Sequence, residues 1–292
     1  MTEPRIEVHP DSTSLATSVA GELIARLEAA QASGNVPQIG LTGGTIAEAV
    51  HREVARLSPG SDVDWSRVVV WFGDERFVAP DSPDRNANQA RAAFLDAVGA
   101  MEVHEMASTA DVPDVAAGAA AYGATMREHG AGQFDVLMLG IGPDGHVASL
   151  FPGHEALAVD DAVAVGVLGS PKPPPERISL TFAALNRAES VWFLDSGDGK
   201  ADAVAAALAA DGSISATPAR GVTGQDETIW FLDHDAAARL YPPFRPSVLG
   251  SICLLLSPTR ALCCVGSAPF VADSTWLSTG GRGHGCCGAP GG

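Results

Sequence analysis

The arrangement in this chain best suited to proton transfer is a histidine two residues after an aspartate in a glycine-rich turn. His146 closes the run Gly140-Ile-Gly-Pro-Asp-Gly-His. A histidine oriented by a carboxylate acts as a general base near neutral pH, which gives that role to His146 with Asp144 as its partner. The structural alternative is a histidine that merely packs the turn. His154, past Pro152, is a weaker candidate on a loop, and His9, His51, His104, His129, His234 and His284 have no comparable setting. The same run formally matches the dinucleotide fingerprint G-x-G-x-x-G, with Asp160 and Asp161 about 20 residues on. That reading needs a helix directly after the turn to hold a pyrophosphate. Pro152-Gly153 interrupts the chain too soon for one, and Pro143 removes a backbone donor. No phosphate loop of the form G-x-x-x-x-G-K-[ST] occurs. No H-E-x-x-H or Cys/His ligand pattern occurs before residue 241, so no catalytic metal and no cofactor are expected.

Three further groups suit an anion. Thr42, Gly43, Gly44 and Thr45 lie between a strand-like and a helix-like segment. Glycines let a backbone approach a ligand, and a helix N-terminus favours negative charge; the alternative is an ordinary tight turn. Arg76 follows Asp74 and Glu75, and reads either as an anion-binding cation or as part of a surface ion-pair cluster. Lys172 and Arg177 flank a proline-rich loop at 170–175, where a lysine can equally be solvated.

The elements that must position these groups follow from periodicity. Leu15, Val19, Leu23 and Leu27 mark a helix after the capping-rich Asp11-Ser-Thr-Ser, and Ala47, Val50, Val54 and Leu57 mark a second. Further helices are expected near 88–98 and 115–129. Strands are expected at 36–41, 67–72, 134–139, 190–194 and 228–232, and Ala-rich helices after the last two. Continuously apolar strands alternating with helices imply an α/β fold, a mainly parallel sheet flanked by helices on both faces. The three glycine-marked clusters at 42–45, 73–76 and 140–146 each follow a predicted strand. Ligands of open α/β sheets bind outside the carboxyl ends of the strands, so these clusters are expected to converge on one edge.

Composition narrows the function. Residues 1–240 hold 15 basic and 34 acidic side chains, about −19 of the net −17, and lysine occurs only at 172 and 200. Phosphate-backbone binding needs clustered cations, so nucleic acid is not an expected partner. No uncharged apolar run approaches the roughly 20 residues of a spanning helix, and the N-terminus lacks an apolar leader core. With no cysteine before Cys253, a cytoplasmic protein without a disulfide framework is expected.

The run from Leu139 to Gly153, LGIGPDGHVASLFPG, closely resembles the signature of 6-phosphogluconolactonases. Gly73-Asp-Glu-Arg-Phe-Val78 with Asn86 downstream resembles their second motif, and PPPERISLTFAAL at 173–185 their third. The resemblance covers about residues 5–240. Related glucosamine-6-phosphate deaminases share a Gly-Gly loop and an Asp-Gly-His element, which there continues Ala-Phe-Asn-Glu-Pro; here it continues Ala-Ser-Leu-Phe-Pro, as in the lactonases. Thr45-Ile46 departs from the family's frequent Ser/Thr-Pro. The resemblance implies a Rossmann-like, NagB-type architecture and hydrolysis of 6-phospho-D-glucono-1,5-lactone in the oxidative pentose phosphate pathway. It implies a small sugar-phosphate lactone as partner and a monomer or weak oligomer. The phosphate would be held by the 42–45 loop, Arg76, Asn86, Lys172 and Arg177. A deaminase-like isomerase and a non-catalytic sugar-phosphate sensor remain as alternatives.

The chain changes character after residue 240. Residues 241–292 carry Pro242, Pro243 and Pro246, then an apolar stretch, and hold all five cysteines, Cys253, Cys263, Cys264, Cys286 and Cys287, without C-x-x-C spacing. The expectation is an irregular tail, disordered or loosely docked, that the chemistry does not need. Translation out of frame past a normal terminus accounts best for the abrupt shift in composition.

Overall fold

The computed structural model describes residues 3–129 and 133–240. The tail expected at 241–292, and its irregular character, lie outside the described residues.

Ten strands occur among the described residues: β1 (Arg5–His9), β2 (Gln38–Leu41), β3 (Val69–Phe72), β4 (Asp74–Arg76), β5 (Glu102–Val103), β6 (Val136–Leu139), β7 (Ala164–Val167), β8 (Arg177–Leu180), β9 (Ser190–Asp195) and β10 (Glu227–Asp233). The helices are α1 (Ser12–Ala32), α2 (Thr45–Leu57), α3 (Asn86–Ala90), α4 (Asp96–Val98), α5 (Val115–Glu128), α6 (Phe182–Leu185) and α7 (Ala201–Leu208), with a π-helical turn, Arg91–Leu95, joining α3 to α4. Asp11 starts α1 by accepting the Ser14 amide at 2.7 Å, an N-cap that offsets one orphan donor of the first turn.

Seven strands form one parallel sheet in the order β1-β10-β9-β6-β2-β3-β5. Successive strand residues point to opposite faces, and both faces are covered. Val70, Phe72, Val136 and Met138 pack with Leu15, Val19, Val50 and Val54 of α1 and α2. Trp71, Leu137 and Leu139 pack on the other face with Tyr122 and Met126 of α5 and Val204 of α7. This double burial is why the strands read as continuous apolar runs. Trp71 and Trp192 are fully buried, and each large side chain so placed contributes about 1.5–3 kcal/mol relative to exposure.

The chain progresses outward from β2 to β3 and β5 on one side, and from β6 to β9 and β10 on the other. The strand order therefore reverses between β2 and β6, which pair at Ile39–Val136 and Gly40–Leu137. A crevice opens at such a point outside the carboxyl ends.

A second, antiparallel sheet, β4-β8-β7, was not foreseen. The segment 73–76, expected only as a polar cluster following a strand, holds β4, which pairs with β8 as Asp74–Ser179, Glu75–Ile178 and Arg76–Arg177. Three residues, DER, carry no periodicity; they become a strand only because a partner 100 residues away supplies the ladder. β1 and β8 were likewise not expected. The Ala-rich segment after β10 is a series of turns rather than a helix. The Asp233 side chain takes the Ala236 amide at 2.8 Å, and the Gly197 amide as well, holding the chain near the strand end. No helix follows Gly145 before the short 3-10 turn Glu155–Ala158, which agrees with the reading against a dinucleotide fingerprint. Among the described residues, no helix is long and apolar enough to cross a membrane.

Where β3 ends, the buried Tyr122 hydroxyl accepts from Phe72 N at 2.9 Å and donates to Phe72 O at 3.1 Å. Tyr122→Phe leaves both backbone groups unpaired, at about 1–3 kcal/mol. Urea denaturation should show that loss with an unchanged m value.

Candidate active site

A cleft of about 640 Å³ lies at the β2/β6 reversal. Thr42 and Gly43 enter it directly from β2, Gly44 and Thr45 begin α2, Gly140 and Gly142 follow β6, and Arg76, Asn86, His146, Lys172 and Arg177 complete the expected set on its wall. Asp144 does not line the cleft; it sits against the side of the His146 ring. The three glycine-marked clusters thus do converge.

His146 is three-quarters or more covered, with a side-chain exposure of 15%. Its Nδ1 is 2.5 Å from Asp144 Oδ1, and a carboxylate accepts, so the ring proton sits on Nδ1 and Nε2 carries the free lone pair. Lys172 Nζ stands 3.5 Å from Nδ1 and 3.8 Å from Asp144 Oδ1, and the Phe151 ring packs 4.6 Å from the imidazole. Burial pushes the His146 pKa below its ordinary value; Asp144 opposes this, and Lys172 adds to it. Burial pushes Asp144 up, but the His146 hydrogen bond and charge, with Lys172, outweigh it and hold the carboxyl below its usual range. A neutral histidine facing an ionised carboxylate is the protonation state of a base at rest. Gly142 permits this turn: a Cβ there would lie 1.9 Å from His146 Nδ1.

The cationic side of the cleft is built by β4 and β8. Arg76 and Arg177 are cross-strand partners, so two guanidinium groups leave the same face of neighbouring strands. Like charges placed so are destabilising unless an anion joins them. Buried Arg177 donates Nη2 to Lys172 O and Pro173 O, both at 3.2 Å, while its Nε has no hydrogen-bond partner among the described residues. Burial, with Arg76 nearby, lowers its pKa against the pull of Asp74. Arg76 donates Nη1 to Asn86 Oδ1, and Asn86 Nδ2 donates to Asp74 O at 2.8 Å. Gly43 lets this pair approach, since a Cβ there would lie 1.9 Å from Asn86 Oδ1. α2 has Gly44 as its N-cap and so no side-chain cap, leaving first-turn amides for an anion.

Asp74 and Glu75 have structural partners. Glu75 accepts the Asn86 and Ala87 amides at 2.7 and 2.9 Å and so caps α3. Asp74 Oδ2 accepts Ser149 Oγ at 2.7 Å, tying β4 to the turn that carries His146.

Among the lining residues that the sequence did not single out, Asp195 and Lys200 carry charge-bearing groups into the cleft. Asp195, at the end of β9, accepts the Ile141 amide at 3.0 Å. Lys200 Nζ donates to Ile141 O and lies 3.9 Å from Asp195 Oδ1. The scarcity of lysine was the available signal: both lysines before residue 241 line this one cleft.

A family model described as glucosamine-6-phosphate isomerases/6-phosphogluconolactonase matches residues 10–230. The chain belongs to this family. A 6-phosphogluconolactonase of Streptomyces coelicolor is 45% identical over 256 residues, covering 82% of this chain and 97% of that protein. One of Mycobacterium tuberculosis is 42% identical over 244 residues, covering 80% and 98%. The solved 6-phosphogluconolactonase of Trypanosoma brucei superposes with a TM-score of 0.68 at 27% identity, covering 82% of this chain and all of that one. A monomeric glucosamine-6-phosphate deaminase superposes at 0.67 with 18% identity, which shows a shared fold.

Burial pushes Asp195 up to about 8, against the pull of Lys200. The native protein therefore holds this proton over a range where the unfolded chain has released it, and stability falls as pH rises from about 4 to about 8. Urea unfolding across that range should show a slope that Asp195→Asn reduces.

Proposed function

We propose that this cleft hydrolyses 6-phospho-D-glucono-1,5-lactone to 6-phosphogluconate, with His146 as the general base. The chain is an enzyme of the 6-phosphogluconolactonase type, a hydrolase of sugar-phosphate metabolism, as its relatives in this family are named. The observation that carries the mechanism is that an Asp144-oriented histidine and the paired Arg76 and Arg177 open on the same cleft.

The substrate phosphate sits between Arg76 and Arg177 and the uncapped start of α2, with Thr42, Gly43, Gly44 and Thr45 as the backbone cradle. Asn86 holds Arg76 in place. This puts the lactone ring toward His146. Nε2 takes a proton from water as the water oxygen attacks the ring carbonyl, and the imidazolium that forms is stabilised by Asp144. Lys172, which lines the same cleft, supplies a cation for the developing oxyanion. Collapse of the tetrahedral intermediate breaks the bond to the ring oxygen, which takes the proton back from His146. Water and lactone yield the open-chain acid, and no cofactor enters the balance. Residues 1–240 carry this chemistry. The reading places a monomer or weak oligomer in the cytoplasm, acting on a small molecule and not on nucleic acid.

The deciding assay is acid release from fresh lactone in a pH-stat, corrected for spontaneous hydrolysis; ammonia release from glucosamine 6-phosphate, or binding of 6-phosphogluconate without turnover, would overturn the reading. His146→Ala should lower kcat by about 10²–10⁴-fold. His146 must be neutral to act and its pKa lies below the usual 6.5, so kcat/KM should hold at pH 6.5 and fall below it. Lys172→Met removes a charge that favours the neutral ring, and the acid limb should move to higher pH. Arg76→Ala removes one charged partner of the phosphate and should raise KM about 10-fold or more with a smaller effect on kcat.

A further inference from the structure

Away from the cleft, at the edge of the large sheet, three side chains with metal-binding atoms come together. Glu102 and His104 flank Val103, so they leave the same side of an extended segment. The segment is held in place by β5 and by His104 N, which donates to Val70 O at 2.9 Å. His129 follows the last turn of α5, and its Nδ1 lies 3.0 Å from Thr125 O. A carbonyl can only accept, so Nδ1 carries the proton and Nε2 presents a lone pair. This is the backbone contact that commonly orients a ligating histidine. The His104 ring is stacked on Trp71 at 4.0 Å and 17°, and the two imidazoles stand 4.5 Å apart at 52°. His104 Nε2 is buried, lies 3.5 Å from Glu102 Oε1, and meets no hydrogen-bond partner of good geometry among the described residues.

One ligand atom from each of Glu102, His104 and His129 falls within 4.8 Å of the other two. We propose that these three residues form a binding site for a divalent transition ion of the zinc, cobalt or nickel class, with the remaining position left to water. Two imidazoles and one carboxylate suit such borderline ions; magnesium and calcium favour all-oxygen shells. Tetrahedral bonds of 2.0–2.2 Å set ligand atoms about 3.4 Å apart. Glu102 and His104 already stand near that spacing. The exposed side chains of Glu102 and His129 close the rest by rotation, a movement of at most about 1.4 Å. The ion gives the buried His104 nitrogen a well-placed partner and ties the edge strand β5 to the end of α5. None of the three residues lines the cleft, so the ion serves the scaffold rather than the hydrolysis.

The sequence concealed this site because its ligands come from two elements 25 residues apart. Glu-x-His on a strand is a two-ligand signal that becomes specific only when a third residue arrives.

The test titrates ZnCl₂ by calorimetry into the full chain, stripped of metal and kept reduced, with wild type, His129→Ala, His104→Ala and Glu102→Gln side by side. The five cysteines beyond residue 250 are present in every variant, so a lost equivalent belongs to the histidine site. The expected result is one saturable equivalent in the wild type that is absent from His129→Ala and His104→Ala and weakened in Glu102→Gln. Zinc at a hundredfold excess over Kd should raise the wild-type Tm by about 5–10 °C and leave that of His129→Ala unmoved, with lactonase turnover alike in both. Equal zinc stoichiometry and equal Tm shifts in wild type and His129→Ala would overturn the site, as would the absence of a saturable wild-type equivalent. Should His104→Ala not fold, His129→Ala and Glu102→Gln, which alter exposed side chains, decide the matter.

Discussion

Strands β2 and β6 are hydrogen-bonded neighbours, and the chain departs from them in opposite directions. Helix α2 leaves β2 toward one side, while the turn after β6 has no helix to continue it. The backbone at this point cannot close over the strand ends, and a cleft results. Each other part of the site is placed relative to this gap. The 42–45 loop forms one lip, the turn from Gly140 to His146 the other, and Asp195 at the end of β9 fastens that turn through the Ile141 amide. Strand order therefore places the site before any side chain does.

The second sheet adds the charge. Residues 1–240 carry about nineteen more acids than bases, yet Arg76, Lys172, Arg177 and Lys200 line one cleft. Such a gathering costs free energy through mutual repulsion and desolvation. Part of that cost is offset by acids and carbonyls: Asp144 near Lys172, the Ile141 carbonyl at Lys200, and backbone oxygens at Arg177. The rest is available to an anionic ligand. In a molecule whose net charge repels a sugar phosphate, affinity depends on this local field rather than on long-range steering.

Much of this was legible in the sequence. The helical face of Leu15, Val19, Leu23 and Leu27, the strand at Val69 to Phe72, and the three polar clusters at strand ends all follow from spacing, because buried faces impose a period. The unforeseen parts have no such signature. β4 and β8 exist through mutual pairing. The Ala-rich segment after β10 has helix propensity, but its turns are held by Asp233. Asp195 and Lys200 sit in unremarkable local sequence, and only the packing of β9 beside β6 brings them to the His146 turn. Glu102, His104 and His129 were passed over for the same reason.

The sequence by itself determined the α/β class, the family signature around His146, and which side chains have the chemistry to move a proton or hold an anion. Those are local properties: side-chain chemistry, hydrophobic period, and glycines where the backbone must turn tightly or be approached closely. Tertiary structure alone decided which residues meet. It set Arg76 against Arg177 across a two-strand ladder, placed Asp144 beside rather than inside the cleft, and turned Glu75 into a helix cap. Contacts between segments far apart in the chain depend on strand order and register, and neither is encoded in any short stretch of residues.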